Sequence, residues 1–377
     1  MSYEGGAGVK FLDLFAGIGG FRLGMERAGH KCVGYVEIDK FARRSYEAIH
    51  DTEGEWTRED ITKVTDDEWR TLRGTVDIIC GGFPCQSFSI AGKRLGFEET
   101  RGTLFFEIAR AAKQIQPRLL FLENVKGLLS HNKGETFATI LTALDELGYD
   151  AEWRVLNSKD FGVPQNRERV FIIGYLRGTG GREIFPLGEV NGKNSKIQGE
   201  QVNANTITTR VEAQGSGTYI AEREQFEKVT VPIGGIYTND SINFSRGVLA
   251  DNSRSLKAGS HDAGILIREA TLKGYAEAFP GDSVNISHPK SKTRRGRVGK
   301  QIANTLLTGE EQAVVTEQYR IRKLTPRECW RLQGFPDWAF DRAAEVNSNS
   351  QLYKQSGNSV TENVIWKIAT KFKEEQA

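Results

Sequence analysis

The strongest constraint on the fold lies at the amino end. Residues 9–14 form a short apolar run that passes directly into Phe15-Ala16-Gly17-Ile18-Gly19-Gly20; a helical period with Leu23 and Met25 follows, then a stop near Gly29 and a second apolar run at 32–36. Strand, glycine turn, helix and strand in that order predict a β-turn-α-β unit, the building block of an α/β sheet. Further apolar runs at 76–80, 118–122, 151–156 and 170–174 alternate with helical patterns near 40–49, 103–115 and 137–147, and the run at 76–80 reads as a fully buried parallel strand. In such a sheet ligands gather beyond the carboxyl ends of the strands. Glu37 closes the second strand eighteen residues after Gly19, where a carboxylate can take both hydroxyls of a ribose. A dinucleotide fingerprint wants glycine at position 22, and Arg22 stands there. The turn therefore fits a nucleoside ligand without a pyrophosphate better than a dinucleotide.

At 377 residues the chain can bury a large core and accommodate one large domain plus a smaller one. Charged residues are 27% of the chain and the net charge is +2, so any surface for a polyanion has to come from local clustering. Apolar runs stay short of the roughly 18 residues a membrane span needs, and the Met-Ser-Tyr-Glu-Gly-Gly start lacks a basic and apolar leader pattern, so a cytoplasmic protein is expected. Cys32, Cys80, Cys85 and Cys329 show no Cys-x-x-Cys spacing and the histidines no His-x-x-x-His, which supports neither a disulfide framework nor a metal site.

Chemistry concentrates at the strand ends. Gly81-Gly82-Phe83-Pro84-Cys85-Gln86 reads as a turn that exposes a thiol. Most free cysteines are small buried hydrophobes, but this one lies on the functional edge of the sheet. Glu123-Asn124-Val125 ends the next strand, which sets a carboxylate one strand over from Cys85. In Gln165-Asn166-Arg167-Glu168-Arg169, alternation puts Arg167 and Arg169 on one face. The polar, glycine-dotted stretch from Gln86 to Gly102 is long enough to act as a lid. From 186 to 318 the chain is rich in Gly, Asn, Ser and Thr with short β-like runs, which predicts a separate β-rich domain. Within it Thr206-Ile207-Thr208-Thr209, Ser255-Leu256-Lys257-Ala258 and Thr305-Leu306-Leu307-Thr308 form a weak internal echo of strand-turn-strand units. Residues 288–300 hold six Lys or Arg and no acid, a flexible basic loop suited to phosphates. Pro326 fits a first helical turn, and Gly357-Asn358-Ser359-Val360 opens a terminal apolar helix through Ile365 and Ile368 that needs the α/β domain to pack on.

Asp13-Leu14-Phe15-Ala16-Gly17-Ile18-Gly19-Gly20, Gly82-Phe83-Pro84-Cys85-Gln86-Ser87-Phe88-Ser89, Glu123-Asn124-Val125, Gln165-Asn166-Arg167-Glu168-Arg169 and Gly357-Asn358-Ser359-Val360 together resemble the ordered signature of the bacterial and phage DNA (cytosine-5)-methyltransferases, over residues 9–176 and 320–372. The resemblance implies a doubly wound, mostly parallel α/β sheet of the S-adenosylmethionine-dependent methyltransferase type, formed by 1–185 plus 319–377, with a smaller β-rich target recognition domain at 186–318. It implies a cofactor pocket of Phe15, Gly17, Ile18, Gly19, Glu37, Ile38, Asp60, Ile61, Pro84, Leu104, Asn358 and Val360. Glu37 would take the ribose and Asp60 with Ile61 the adenine. Ile38 stands where relatives often place an aromatic, and an aliphatic face can still cover a ring.

By the same resemblance Cys85 would attack carbon 6 of a flipped-out cytosine, Glu123 would stabilise the adduct, Arg169 would hold Glu123 and the base, and Arg167 would take a phosphate. Carbon 5 of cytosine is a poor nucleophile, which explains why a thiolate and a carboxyl group are needed at all. Double-stranded DNA is the implied partner, with Ser89, Lys93, Arg94, Arg167, Lys290, Lys292, Arg294, Arg295, Arg297 and Thr305 as candidate contacts. A tRNA-acting cytosine-5 enzyme shares the Pro-Cys-Gln loop, but the large β-like insertion and the basic loop favour duplex DNA. A restriction-modification or phage and orphan role follows, with any cognate endonuclease a functional and not a physical partner, and a monomer suffices.

Overall fold

The computed structural model describes residues 8–84, 104–179, 184–185, 234–237, 264–288 and 291–372, with backbone alone at 234–237 and 264. Among the described residues, eight strands and five α-helices make up the first part: β1 (Lys10–Leu14), α1 (Gly20–Arg27), β2 (Lys31–Val36), α2 (Lys40–Ile49), β3 (Trp56–Arg58), α3 (Asp66–Arg70), β4 (Ile78–Gly82), α4 (Leu104–Ile115), β5 (Leu119–Val125), α5 (Glu135–Glu146), β6 (Tyr149–Asn157), β7 (Gln165–Asn166) and β8 (Glu168–Leu176). The central sheet has the order β3-β2-β1-β4-β5-β8-β6. Its first five strands are parallel, and β8 runs antiparallel to both β5 and β6. The short connection from β6 to β8 holds no crossover helix, so an antiparallel return is the arrangement open to it.

Strand side chains alternate between two apolar layers. Leu12, Leu14, Ile79, Leu120, Leu122, Val170 and Ile172 face Trp69, Phe105, Phe106 and Ile140 from the helices between β3 and β6. Phe11, Ile78, Cys80, Phe121, Phe171 and Ile173 face Phe21 and Met25 of α1 and Val364, Ile365 and Ile368 of the terminal helix. The carboxyl end of the chain thus returns to the α/β domain, as its apolar face requires.

The second part begins with β9 (Gly234–Tyr237), β10 (Gly264–Arg268) and β11 (Tyr275–Ala278), an antiparallel sheet. Next come β12 (Ser283–Asn285), β13 (Val298–Gly299), β14 (Ala303–Asn304), β15 (Gln312–Val315) and β16 (Ile321–Lys323). A four-stranded sheet orders β13-β12-β15-β16, so the β-rich region reaches past 318 to Lys323. β14 instead pairs in parallel with β7 of the first part. The echo segments at 206–209 and 255–258 lie outside the described residues. The chain ends in α6 (Pro326–Leu332), α7 (Asp337–Val346), α8 (Asn349–Asn358) and α9 (Glu362–Ala369). Thr325 and Glu328 form a capping box on α6, with Pro326 in its first turn. Gly357-Asn358-Ser359-Val360 ends α8 and leads into α9.

β4 departs from the sequence expectation of a strand at 76–80. It starts at Ile78 and continues through Gly82, because β1 and β5 on either side run on to offer partners: Leu14 pairs with Gly81 and Glu123 with Gly82. The carboxyl ends of β1, β2, β4 and β5 therefore share one edge.

Candidate active site

One half of that edge is the turn after β1. Phe15, Gly17 and Gly19 all have positive φ, and Gly19 is left-handed at φ 84 as it opens α1. A Cβ on Gly19 would lie 2.0 Å from His50 Nε2, so only glycine fits both the conformation and the space. Burial, then the Arg22 guanidinium, pushes the His50 imidazole down to about 3, which keeps it neutral beneath the turn. Arg22 is itself buried, bonded to Glu26, Glu55 and the Asp51 carbonyl; a residue that breaks the dinucleotide pattern becomes a brace for the turn.

Glu37 follows β2. Its Oε2 accepts from Gly17 N at 2.7 Å and its Oε1 from Asp39 N at 2.7 Å. Burial raises its carboxyl above the usual range against the pull of these two bonds. Asp39 caps α2 through Phe41 N and Ala42 N, and Lys354 of α8 pairs with its second oxygen. Beside Glu37 the Ile38 side chain is 68% exposed. Asp60 accepts from Thr62 N and Oγ1, bonds that hold its carboxyl below the usual range. Space over Gly17 is open, Pro84 and Asn358 are exposed, and Leu104 is half-buried. Val360 packs over Gly82, where a Cβ would lie 3.8 Å from its Cγ1. Ile18 and Ile61 both have core side chains, Ile18 in a cluster with Trp330 and Ile61 in one with Val64, which leaves their backbone to face a ligand.

The other half is built on β4, β5 and β8. Glu123 is 7% exposed, and Arg169 Nε meets its Oε1 at 2.9 Å. Register explains the pair, since Glu123 opposes Phe171 and Arg169 sits diagonally two residues away on the same face. Burial raises the Glu123 carboxyl, opposed first by Arg169 and then by Arg167. A Cβ on Gly82 would stand 3.1 Å from Glu123 Oε2, so the glycine leaves the space beside this carboxylate open. Asn124 Nδ2 donates to the Phe83 carbonyl at 2.7 Å and fixes the backbone just before Pro84-Cys85. Sequence reading gave Asn124 no role; its signal was its place between Glu123 and the strand end. Cys85, Ser89, Lys93, Arg94 and Lys290 lie outside the described residues.

Two expected DNA contacts are corrected. Arg167 is 2% exposed, and its guanidinium donates to the carbonyls of Leu306, Gly357 and Ser359 at 3.3, 3.0 and 2.7 Å. Arg297 is 1% exposed and donates to the carbonyls of Asn285, Ser287 and His288. Both guanidinium groups are turned onto backbone carbonyls away from solvent, although Arg167 Nε is left without a partner among the described residues. Lys292 and Arg295 are exposed, Arg294 is half-buried, and Arg295 Nε reaches the Ala270 carbonyl. Thr305 Oγ1 donates to the Asn166 carbonyl at 2.6 Å, close to the β7–β14 pairing.

This edge of the sheet joins a turn suited to a nucleoside with a buried carboxyl–guanidinium pair one strand from a Pro-Cys. The family model for C-5 cytosine-specific DNA methylase matches residues 9–374. The chain belongs to that family. This cytosine-5 methylase therefore transfers a methyl group to carbon 5 of cytosine in DNA, and it requires a methyl donor. It is 38% identical to the type II methyltransferase M.HpaII of Haemophilus parainfluenzae over 93% of this chain and 85% of that one. It is 32% identical to the orphan methyltransferase M.SPRI of Bacillus phage SPR over 96% of each. In fold it is similar to the S. pombe Dnmt2 methyltransferase, with a TM-score of 0.56 at 18% identity and coverage of 96% of this chain and 98% of that one. Among the described residues, no helix of the methylase is long and apolar enough to cross a membrane.

Proposed function

We propose that this cytosine-5 methylase takes S-adenosylmethionine as its donor and modifies a cytosine flipped out of duplex DNA through a covalent bond to Cys85. The observation that carries the reading is the Glu123–Arg169 pair, 2.9 Å apart and buried beside the open face of Gly82, on the same sheet edge as Glu37 and its glycine turn. Bound S-adenosylmethionine supplies an electrophilic methyl group.

The donor set of the turn fits that group. Glu37 would accept the two ribose hydroxyls, its carboxylate already aligned by Gly17 and Asp39. Ile38 would cover the adenine and Asp60 would meet its amine, while Phe15, Gly17, Gly19, Pro84, Leu104, Asn358 and Val360 with the backbone at Ile18 and Ile61 would line the rest. Residues 1–185 and 324–377 form the catalytic domain, and 186–323 the recognition domain.

A base stacked in a duplex cannot present carbon 6 to a thiol, so the cytosine leaves the stack. The Cys85 thiolate bonds to carbon 6, and the ring π-electrons move toward N3 and carbon 5. Glu123, whose burial favours the protonated form, donates to N3 and accepts from the exocyclic amine, which also selects cytosine over thymine. Arg169 holds the Glu123 carboxyl and reaches the base oxygen. Carbon 5 takes the methyl group, gives up its proton to a base, and the electrons of that C–H bond re-form the ring double bond as Cys85 Sγ leaves. Lys292, Arg294 and Arg295, with Lys290, Ser89, Lys93 and Arg94, supply phosphate and base contacts. One chain provides every group named, so a monomer suffices, and both restriction-modification and orphan roles suit a free-standing methylase.

The test is methyl transfer from labelled S-adenosylmethionine to unmethylated duplex DNA, with bisulfite sequencing of the product. Methylated cytosines in one short context support the reading. Incorporation into tRNA alone, or into neither, overturns it.

A further inference from the structure

Arg167 lies between the two halves of the molecule. Its guanidinium spans the Leu306 carbonyl on the recognition side and the Gly357 and Ser359 carbonyls beside Asn358 and Val360 on the donor side. Gln165 repeats the pattern two residues earlier: Oε1 accepts from Leu306 N at 3.0 Å, and Nε2 donates to the Leu332 carbonyl at 2.9 Å. Gln333 extends it, donating from Nε2 to the Ser356 carbonyl at 2.6 Å and accepting at Oε1 from Thr361 Oγ1 at 2.8 Å. The two backbones also touch directly, for a Cβ on Gly357 would lie 2.2 Å from the Leu307 carbonyl oxygen. Gln165, Arg167, Gln333, Ser356 and Thr361 are all buried.

We propose that Arg167, with Gln165 and Gln333, is a positioning residue that couples the segment at 357–360 to the recognition segment at 303–308, so that donor and duplex each bind better when the other's wall is in place. The inference rests on the reading of those two segments as donor pocket and recognition side given above. A buried, hydrogen-bonded network has few alternative arrangements, so a displacement of one wall is carried to the other. Coupling of this kind is reciprocal in binding free energy.

The test uses the full chain with S-adenosylhomocysteine as the donor-side probe and the methylated target duplex as the other. Arg167→Met is expected to raise the Kd for S-adenosylhomocysteine and the Kd for the methylated duplex at least tenfold each, to lower kcat on unmethylated duplex at saturation by less, and to leave the salt slope of duplex binding unchanged. Arg167→Lys, which can still reach one or two of the carbonyls, recovers part of both losses. A salt slope reduced by about one with unchanged S-adenosylhomocysteine affinity makes Arg167 a phosphate ligand and overturns the proposal. Loss of folded protein with both affinities intact in the folded fraction overturns it equally. Should Arg167→Met not fold, Gly357→Ala presses on the Leu307 carbonyl from the donor side; the proposal requires both affinities to weaken there, and a change in one alone contradicts it. Wild-type protein that binds neither probe overturns the proposed function itself, a result distinct from all of these.

Discussion

Glu37→Gln separates the Glu37 carboxylate's work on the ligand from its work on the fold. In the native turn both carboxylate oxygens accept backbone N–H groups, from Gly17 and Asp39, each at 2.7 Å. Glutamine keeps one acceptor and sets an NH2 against the other N–H. The orphaned donor costs on the order of 1–3 kcal/mol, while removal of a charge that burial already disfavours offsets part of it. Global stability therefore falls by little, with the Tm down by a few degrees. The ligand loses more. Bonds from ribose hydroxyls to a charged group contribute about 1.5–3 kcal/mol each, and the amide retains a weaker version of one. A net loss of about 3 kcal/mol corresponds to a Kd for S-adenosylhomocysteine raised on the order of 100-fold. Calorimetric titration measures it, and Glu37→Asp, one methylene short, is expected in between. A Glu37→Gln protein that binds S-adenosylhomocysteine within twofold of wild type refutes the assignment.

Three further outcomes follow from the geometry. Because the His50 pKa drops from 6.5 to about 3 on folding, the unfolded chain binds a proton below pH 6.5 that the folded one refuses, so stability falls as the pH does; between pH 7 and 5 the loss is about 2 kcal/mol, and urea unfolding of His50→Leu should show that much less acid sensitivity than wild type. Gly82→Ala puts a methyl 3.1 Å from Glu123 Oε2 with Arg169 on its other oxygen, and kcat should fall at least tenfold while circular dichroism stays native. Carbon-13 NMR of the Glu123 carboxyl should show a pKa above the ordinary value, and a higher one in Arg169→Met, which removes the largest opposing charge; a value below the ordinary one in wild type contradicts the account of how its proton is kept.

Much of the site was legible because it is local in sequence. The β1 turn, Glu37, and Glu123 each lie at the end of an apolar run, and a run in an α/β pattern names its own carboxyl edge. The Asp39 cap is local too, since its partners, Phe41 N and Ala42 N, are two and three residues away. Arg167 and Arg297 were not readable in this way. A charged residue in a motif or a basic run reads as a surface group, and the carbonyls that bury Arg167 come from Leu306, Gly357 and Ser359, far along the chain. The burial of the Ile18 and Ile61 side chains was hidden for a related reason: a motif position states that the backbone is near the ligand, not where the side chain points. β16 lies beyond the compositional boundary at 318 because composition averages over a window, whereas pairing of Val315 with Ile321 is fixed residue by residue. The antiparallel β8 was hidden because an apolar run has no direction; only the short link from β6 supplies it.

The central claim is a covalent bond between Cys85 and carbon 6 of the target cytosine. The most direct test incubates the methylase with S-adenosylmethionine and a duplex carrying 5-fluorocytosine at the mapped site, whose fluorine cannot leave as a proton does, and digests the product for mass spectrometry. The account predicts a stable one-to-one protein–DNA adduct whose DNA-derived mass sits on the peptide containing Cys85, and no adduct with Cys85→Ala. An adduct on Cys32, Cys80 or Cys329, or methyl transfer that persists in Cys85→Ala, would contradict it.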